Sequence, residues 1–252
     1  MISAAAIVSF IVFVCVFGGA LVGISLSALI PQQHLDGESK DVVRGGMAVV
    51  ATMVALVLGL LIASAKGFFD TQTNELTQMS ADVVLVDRML AHYGPGSAPA
   101  RAILKAQVVK VLSDMWSRSP SQTPVNPGTE RPEPLYDSVE GLAPKTDDQR
   151  TAKAQALEVL VEMGRLRWLM YAQRSTHVPN ALIGALAIWL VLVSLTSGLF
   201  TRPNATVIAS FFLSALAVAS AMWLILEMYA PYSGWIRVSD AALRAALAQL
   251  GT

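Results

Sequence analysis

The sequence predicts an all-α integral membrane protein with four transmembrane helices and a cytoplasmic helical domain inserted between helices 2 and 3. Three observations carry that prediction. Four long stretches of the chain lack charge. Between the second and third, apolar residues recur at helical spacing. No segment alternates apolar and polar residues over a length that a half-buried strand would need.

Composition agrees. Apolar residues make up 54% of the 252, charged residues 14%, and the mean hydropathy is +0.54. A soluble domain carries about 25% charged residues. A net charge of zero removes the basic footprint of nucleic-acid binding. One cysteine permits no internal disulfide, and three histidines leave little for a metal site. Cys15 lies in an apolar run and reads as a small packing residue.

The spans follow from the gaps between charges. Nothing before Asp36 is charged, and the apolar run from Ala4 to Ile30 ends at Pro31. The gap between Arg44 and Lys66 holds 21 residues. A third runs from Arg174 to Arg202, with His177 inside it and Pro179 at the helix start, and a fourth from Arg202 to Glu227. A hydrocarbon core of ~30 Å takes about 20 helical residues, so each gap suffices. A cleaved signal peptide is the competing reading of the first span. It fits poorly, because there is no basic n-region and the run exceeds the usual h-region of about 7–15 residues.

These gaps divide the chain into a transmembrane hairpin over 1–66 (spans about 4–30 and 46–65), a cytoplasmic helical domain over 67–178, a second hairpin over 179–229 (spans about 180–200 and 206–228) and a cytoplasmic C-terminal segment over 230–252. The orientation rests on lysine and arginine. Lys40, Arg44 and Arg202 lie on the side of the short turns. Lys66, Arg165, Arg167, Arg174, Arg237 and Arg244 lie on the other, which places both termini and the domain in the cytoplasm. Tyr229, Tyr232 and Trp235 suit the interface after the last span.

Within the domain, Leu76, Met79, Val83, Val86 and Leu90 recur at steps of 3 and 4, a heptad stripe on a helix over 70–93. Gly94-Pro95 ends that helix and Pro99 starts the next. There Leu104, Val108, Val111 and Met115 form a second stripe, flanked by Ile103 and Leu112. Six prolines between 118 and 146 predict a loop. Asp147 and Asp148 open a long helix to about His177, with Leu157, Leu160, Val161, Leu166, Leu169 and Met170 on its apolar side.

No catalytic constellation stands out, and no cofactor or metal site is expected. There is no glycine loop of the phosphate-cradling type. His34 and Glu38 are four apart, but beside Pro31 and Gly37 they read as a solvated turn. Asp82, Asp87 and Arg88 read as ordinary polar-face residues. Gly19, Gly23 and Ser27 form a small-residue ridge on the first span, a helix-packing pattern. The second span has another ridge, Ala51, Ala55, Gly59 and Ala63. Beside it run Thr52, Leu56, Leu60 and Ser64, apolar in the middle and hydroxylated at both ends. Around an axis of several copies this would be a hydrophobic constriction between wetter vestibules, a device that gates by dewetting. Plain bundle packing explains the same periodicity. Glu227 lies at the exit of the fourth span, where an ionisable group is either functional or reaching the interface. Arg237 and Arg244 follow it, suited to attracting anions or to anchoring the tail on anionic lipid.

Several stretches carry a family resemblance. Ile30-Pro31-Gln32-Gln33-His34-Leu35 precedes Ser39-Lys40-Asp41-Val42-Val43-Arg44, and Leu58-Gly59 sits within Ala55–Lys66. Leu85-Val86-Asp87-Arg88 and His92-Tyr93-Gly94-Pro95 follow, then Pro203-Asn204-Ala205-Thr206 and Pro231–Ser239. Together they resemble the bestrophin-like membrane proteins grouped as a domain of unknown function, and more distantly the bestrophin anion channels. The resemblance implies a homo-oligomer, pentameric in bestrophins, that conducts chloride or other small anions through a neck on the second span. Leu58-Gly59 looks like the Leu-Gly pair of that neck, which puts Thr52, Leu56 and Leu60 at the constriction. This neck departs from bestrophins in its smaller residues, and no acidic cluster like their calcium site is present. The alternative reading is a non-conducting scaffold or sensor that binds a partner through the helical domain and its 118–146 segment.

Overall fold

The computed structural model describes residues 4–27, 37–116, 134–173, 180–232 and 234–251. Among them every regular element is helical and no strand occurs. The helices are α1 (Ala4–Ser27), α2 (Gly37–Tyr93), α3 (Ala98–Trp116), α4 (Pro134–Glu140), α5 (Asp147–Gln173), α6 (Asn180–Leu199), α7 (Ala205–Met228) and α8 (Ala241–Gln249). Four of these, α1, α2, α6 and α7, are long and apolar enough to cross a membrane. Backbone groups have no water to bond in hydrocarbon, so helices that satisfy their own ladders are the structures that can cross.

The chain divides into two compact units, residues 1–68 with 177–230 and residues 69–176 with 231–252. The tail after the last span, expected as a separate segment, belongs to the second unit.

In the first unit α1 packs against α6 and α7. Its inward face is Val12, Val16, Gly19, Ala20 and Gly23, all buried. Two of these are glycines for a steric reason. A Cβ on Gly23 would lie 2.0 Å from the Leu195 carbonyl oxygen of α6, and one on Gly19 3.3 Å from Val191. From the other side a Cβ on Gly198 would lie 2.3 Å from the Ala20 carbonyl oxygen. The backbones therefore meet without intervening side chains, as small-residue interfaces permit in lipid. Phe13 and Phe17 meet Phe212 of α7 edge-on, at centroid distances of 5.4 and 5.7 Å. Ile7, Phe10, Ile11 and Val14 point outward, as a lipid-facing surface requires. Cys15 is also exposed, which corrects its assignment as a packing residue. At about 100° per residue it falls off the 12–16–19–23 face.

The second unit is a helical domain with its own core. The heptad stripe Leu76, Met79, Val83, Val86 and Leu90 is buried throughout. On α3 the buried row is Ala100, Leu104, Val108 and Leu112, at steps of four, with Val111 and Met115 at its edge. On α5 Ala152, Ala156, Leu166 and Met170 are buried while Val161 is exposed. Val238, Leu243, Ala246 and Leu250 from the C-terminal segment complete the core.

Two boundaries differ from expectation. The second span and the 70–93 helix are one element, since no proline or cap interrupts residues 37–93. α2 has 57 residues. It stops at Gly94, whose φ of 103° suits a residue without Cβ. Ser97 closes the turn, its hydroxyl donating to the Leu90 and Gly94 carbonyls. The second correction concerns the proline-rich segment, because Pro134–Glu140 is helical and inserts Leu135 and Val139 into the core. Proline is tolerated there at the first helical position. Residues 117–133 of that segment, the turn holding Pro31 and His34, the side chain of Glu38 and the stretch 174–179 lie outside the described residues.

Candidate functional site

The membrane-crossing part of α2 is the barest of the four spans. Only Val54, Leu61 and Ala65 form a buried seam. Thr52, Leu56, Leu60 and Ser64 lie together on the open side, with Leu56 66% and Leu60 71% exposed. Ala51, Ala55, Gly59 and Ala63 are exposed beside them, and a Cβ on Gly59 would meet nothing within 4 Å. Gly19 and Gly23 thus lie against a neighbour within the chain, whereas Ala55 and Gly59 face away from it. A purely lipid-facing helix gains nothing from a ridge of small residues flanked by hydroxyls. Such a ridge suits close approach to another protein surface.

The two hydroxyls at the ends of the stripe differ. Thr52 Oγ1 donates back to the Ala48 carbonyl at 2.9 Å, so its acceptor lone pairs remain on the open face. Ser64 shares a hydrogen bond of 3.1 Å with the Tyr229 hydroxyl. Tyr229 in turn stacks on Phe68 at 5.2 Å. Tyr229 was expected as an interface anchor, and its tie to the end of the stripe was not visible in the sequence because the two residues are 165 apart.

The residues at and after the end of the fourth span also divide. Glu227 is 1% exposed. Arg237 donates to the Gly234 carbonyl at 2.6 Å. Arg244 pairs at 2.6 Å with Asp240, the residue that precedes α8. That exposed pair weakens its field as an anion attractant. Trp235 is 85% exposed.

In the helical domain a polar network missed by sequence reasoning ties α2 to α5. Gln72, fully buried, donates to Glu75 at 3.2 Å and to Gln173, and accepts from the Tyr232 hydroxyl at 3.0 Å. Gln173 donates to Glu75 at 2.9 Å. The indole of Trp116 meets the Tyr232 ring edge-on and donates to the Val238 carbonyl at 3.0 Å.

Two aspartates expected as plain polar-face residues are not. Asp87 is buried and accepts both arms of a bidentate bond from Arg101, at 2.7 and 2.8 Å. The Arg101 guanidinium holds its carboxyl below the usual range. Asp82 has a buried oxygen, Oδ2, without a hydrogen-bond partner among the described residues. Burial, then the nearby charge of Glu162, pushes its carboxyl upward. A raised folded value means that ionisation costs folded stability as pH rises above the unfolded value near 3.8. Asp82→Asn is therefore expected to raise the thermal unfolding midpoint at pH 7, with a gain that vanishes as pH falls to that value. A midpoint unchanged or lowered at pH 7 would refute the assignment.

Among the described residues no group of His, Cys, Asp and Glu could hold a metal ion. The family model of the Bestrophin-like domain matches residues 14–243. No curated protein and no solved structure matches the chain.

Proposed function

The chain belongs to the bestrophin-like family, and from that premise we propose that it is an oligomeric anion-conducting channel whose pore is lined by α2. One observation carries the reading: the Thr52–Leu56–Leu60 stripe and its small-residue ridge are bare on the single chain. Copies arranged around an axis would cover the ridge and turn the stripe inward. Leu56 and Leu60 then form a dry constriction, with Thr52 at one mouth and the Ser64–Tyr229 pair at the other. A pentamer of such subunits, selective for chloride or other small anions, is the assembly that the family layout favours. The helical domain and both termini face the cytoplasm, and the membrane is a bacterial inner membrane, in keeping with the lysine and arginine bias. The role involves no catalytic step.

The scaffold reading has less to stand on. It lays a partner on the heptad helices and the 118–146 segment, and of these Leu76 to Leu90 are already buried in the domain's own core.

The test is chloride against potassium flux in proteoliposomes. Leu60→Ala and Leu56→Ala remove bulk from the constriction and are expected to raise chloride flux several-fold over the unaltered protein. Flux that neither substitution changes would remove α2 from the pore. A folded oligomer that passes neither ion, with or without the substitutions, would remove the channel.

A further inference from the structure

The helical domain contains a half-open cavity of about 360 Å³, unrelated to the exposed stripe of α2. Its walls are aliphatic, among them Met79 and Val83 of α2, Leu104 and Val108 of α3, and Leu160 of α5. Three polar side chains also line it: Gln107, Tyr136 and Arg167. Each comes from a different helix, α3, α4 and α5. No hydrogen bond or ion pair to another described residue engages any of the three. Arg165, two residues earlier on α5, is in contrast paired with Glu162.

A half-open, mainly apolar cavity of this size with a few polar groups in its lining has the composition of a small-molecule site. The polar set gives the sign of the ligand's head. A guanidinium only donates, and the phenol and carboxamide can each add a donor, so the three together favour an anion. The aliphatic walls give its body. The cavity's volume limits that body to a chain of medium length. We infer that the domain binds an amphiphilic monoanion, a medium-chain carboxylate, with its head at Arg167, Tyr136 and Gln107 and its chain among the aliphatic walls. The site stands independently of whether α2 conducts.

Gly164 supplies the decisive variant. It lines the cavity, and a Cβ there would meet nothing within 4 Å. Gly164→Leu therefore fills the chamber while replacing a glycine that weakens the middle of α5. The full-length protein in lipid nanodiscs is titrated with radiolabelled decanoate, with empty nanodiscs as the blank. Saturable binding of one decanoate per chain is expected, abolished by Gly164→Leu with the unfolding midpoint preserved. Arg167→Gln is expected to weaken decanoate about tenfold, the low end for a lost hydrogen bond to a charged group, and to leave decanol unchanged. Uptake no greater than in empty nanodiscs would show bilayer partitioning only and overturn the site. Uptake that survives Gly164→Leu overturns its location. Decanoate and decanol weakened equally by Arg167→Gln overturn the anionic head. If Gly164→Leu lowers the midpoint, the decanoate-to-decanol contrast in Arg167→Gln decides alone.

Discussion

Gly23→Leu is expected to abolish the α1–α6 interface. Even the first carbon of the new side chain would overlap the Leu195 carbonyl oxygen, at 2.0 Å, and backbone cannot rotate away as a side chain can. Overpacking a core typically costs about 1–3 kcal/mol. Here the obstacle is backbone and the helices must separate, so a loss at or above the top of that range is expected. The loss extends beyond the contact itself, because α1 also carries the Phe13 and Phe17 contacts to Phe212. Gly18 is the matched control. It is five residues earlier on the same helix, and a Cβ there meets nothing within 4 Å. Gly18→Ala should be neutral, or stabilising by up to about 1 kcal/mol from helix propensity. Thermal unfolding in detergent separates the two, and equal midpoints for Gly23→Leu and the unaltered protein would show that α1 and α6 do not meet at these glycines.

Asp87→Ala should have the largest effect in the helical domain. It leaves Arg101 beside a vacated pocket, with both of its bonds unmade. Breaking a buried ion pair by removing one partner costs about 3–5 kcal/mol. The Arg101 side chain keeps 26% of its exposure, and water can take up part of its charge, so about 3 kcal/mol is expected. The pH dependence has a defined sign. The folded carboxyl sits below its unfolded value near 3.8, so its contribution is complete above that value and lost as pH falls through the folded one. The gap between Asp87→Ala and the unaltered protein should be full at pH 7 and narrow below pH 3.8. A local readout accompanies it. The Gly251 amide points at Asp87 Oδ2 at 3.5 Å, so hydrogen exchange at the C-terminal end should speed up. An unfolding midpoint and C-terminal exchange both unchanged by Asp87→Ala would contradict the pairing.

The two aspartates show the limit of reading polar residues from sequence. Asp82 and Asp87 share a helix, and both fall beside the heptad stripe, so periodicity alone treats them alike. What separates them is which neighbour arrives from α3 or α5. Arg101 meets one and Glu162 the other. The same holds for Gln72, polar by type and yet fully buried because Tyr232, 160 residues later, and Gln173 satisfy its amide.

The four helices long and apolar enough to cross a membrane and the heptad core of the domain were legible in the sequence by itself. Each depends on local quantities: an uncharged run as long as a bilayer is thick, apolar spacing near 3.6, and a glycine where the backbone turns left-handed. Tertiary structure alone decided which small-residue ridge packs within the chain. Gly19–Gly23 and Ala55–Gly59 carry the same four-residue spacing, yet only the first meets another helix of its own chain, where Gly198 opposes it. Spacing records that a face is smooth, whereas the partner that fills it is set by side chains far away in the chain. For that reason the bare stripe of α2, the partners of Asp87 and Asp82, and the cavity at Arg167 all emerged only once the helices were in place.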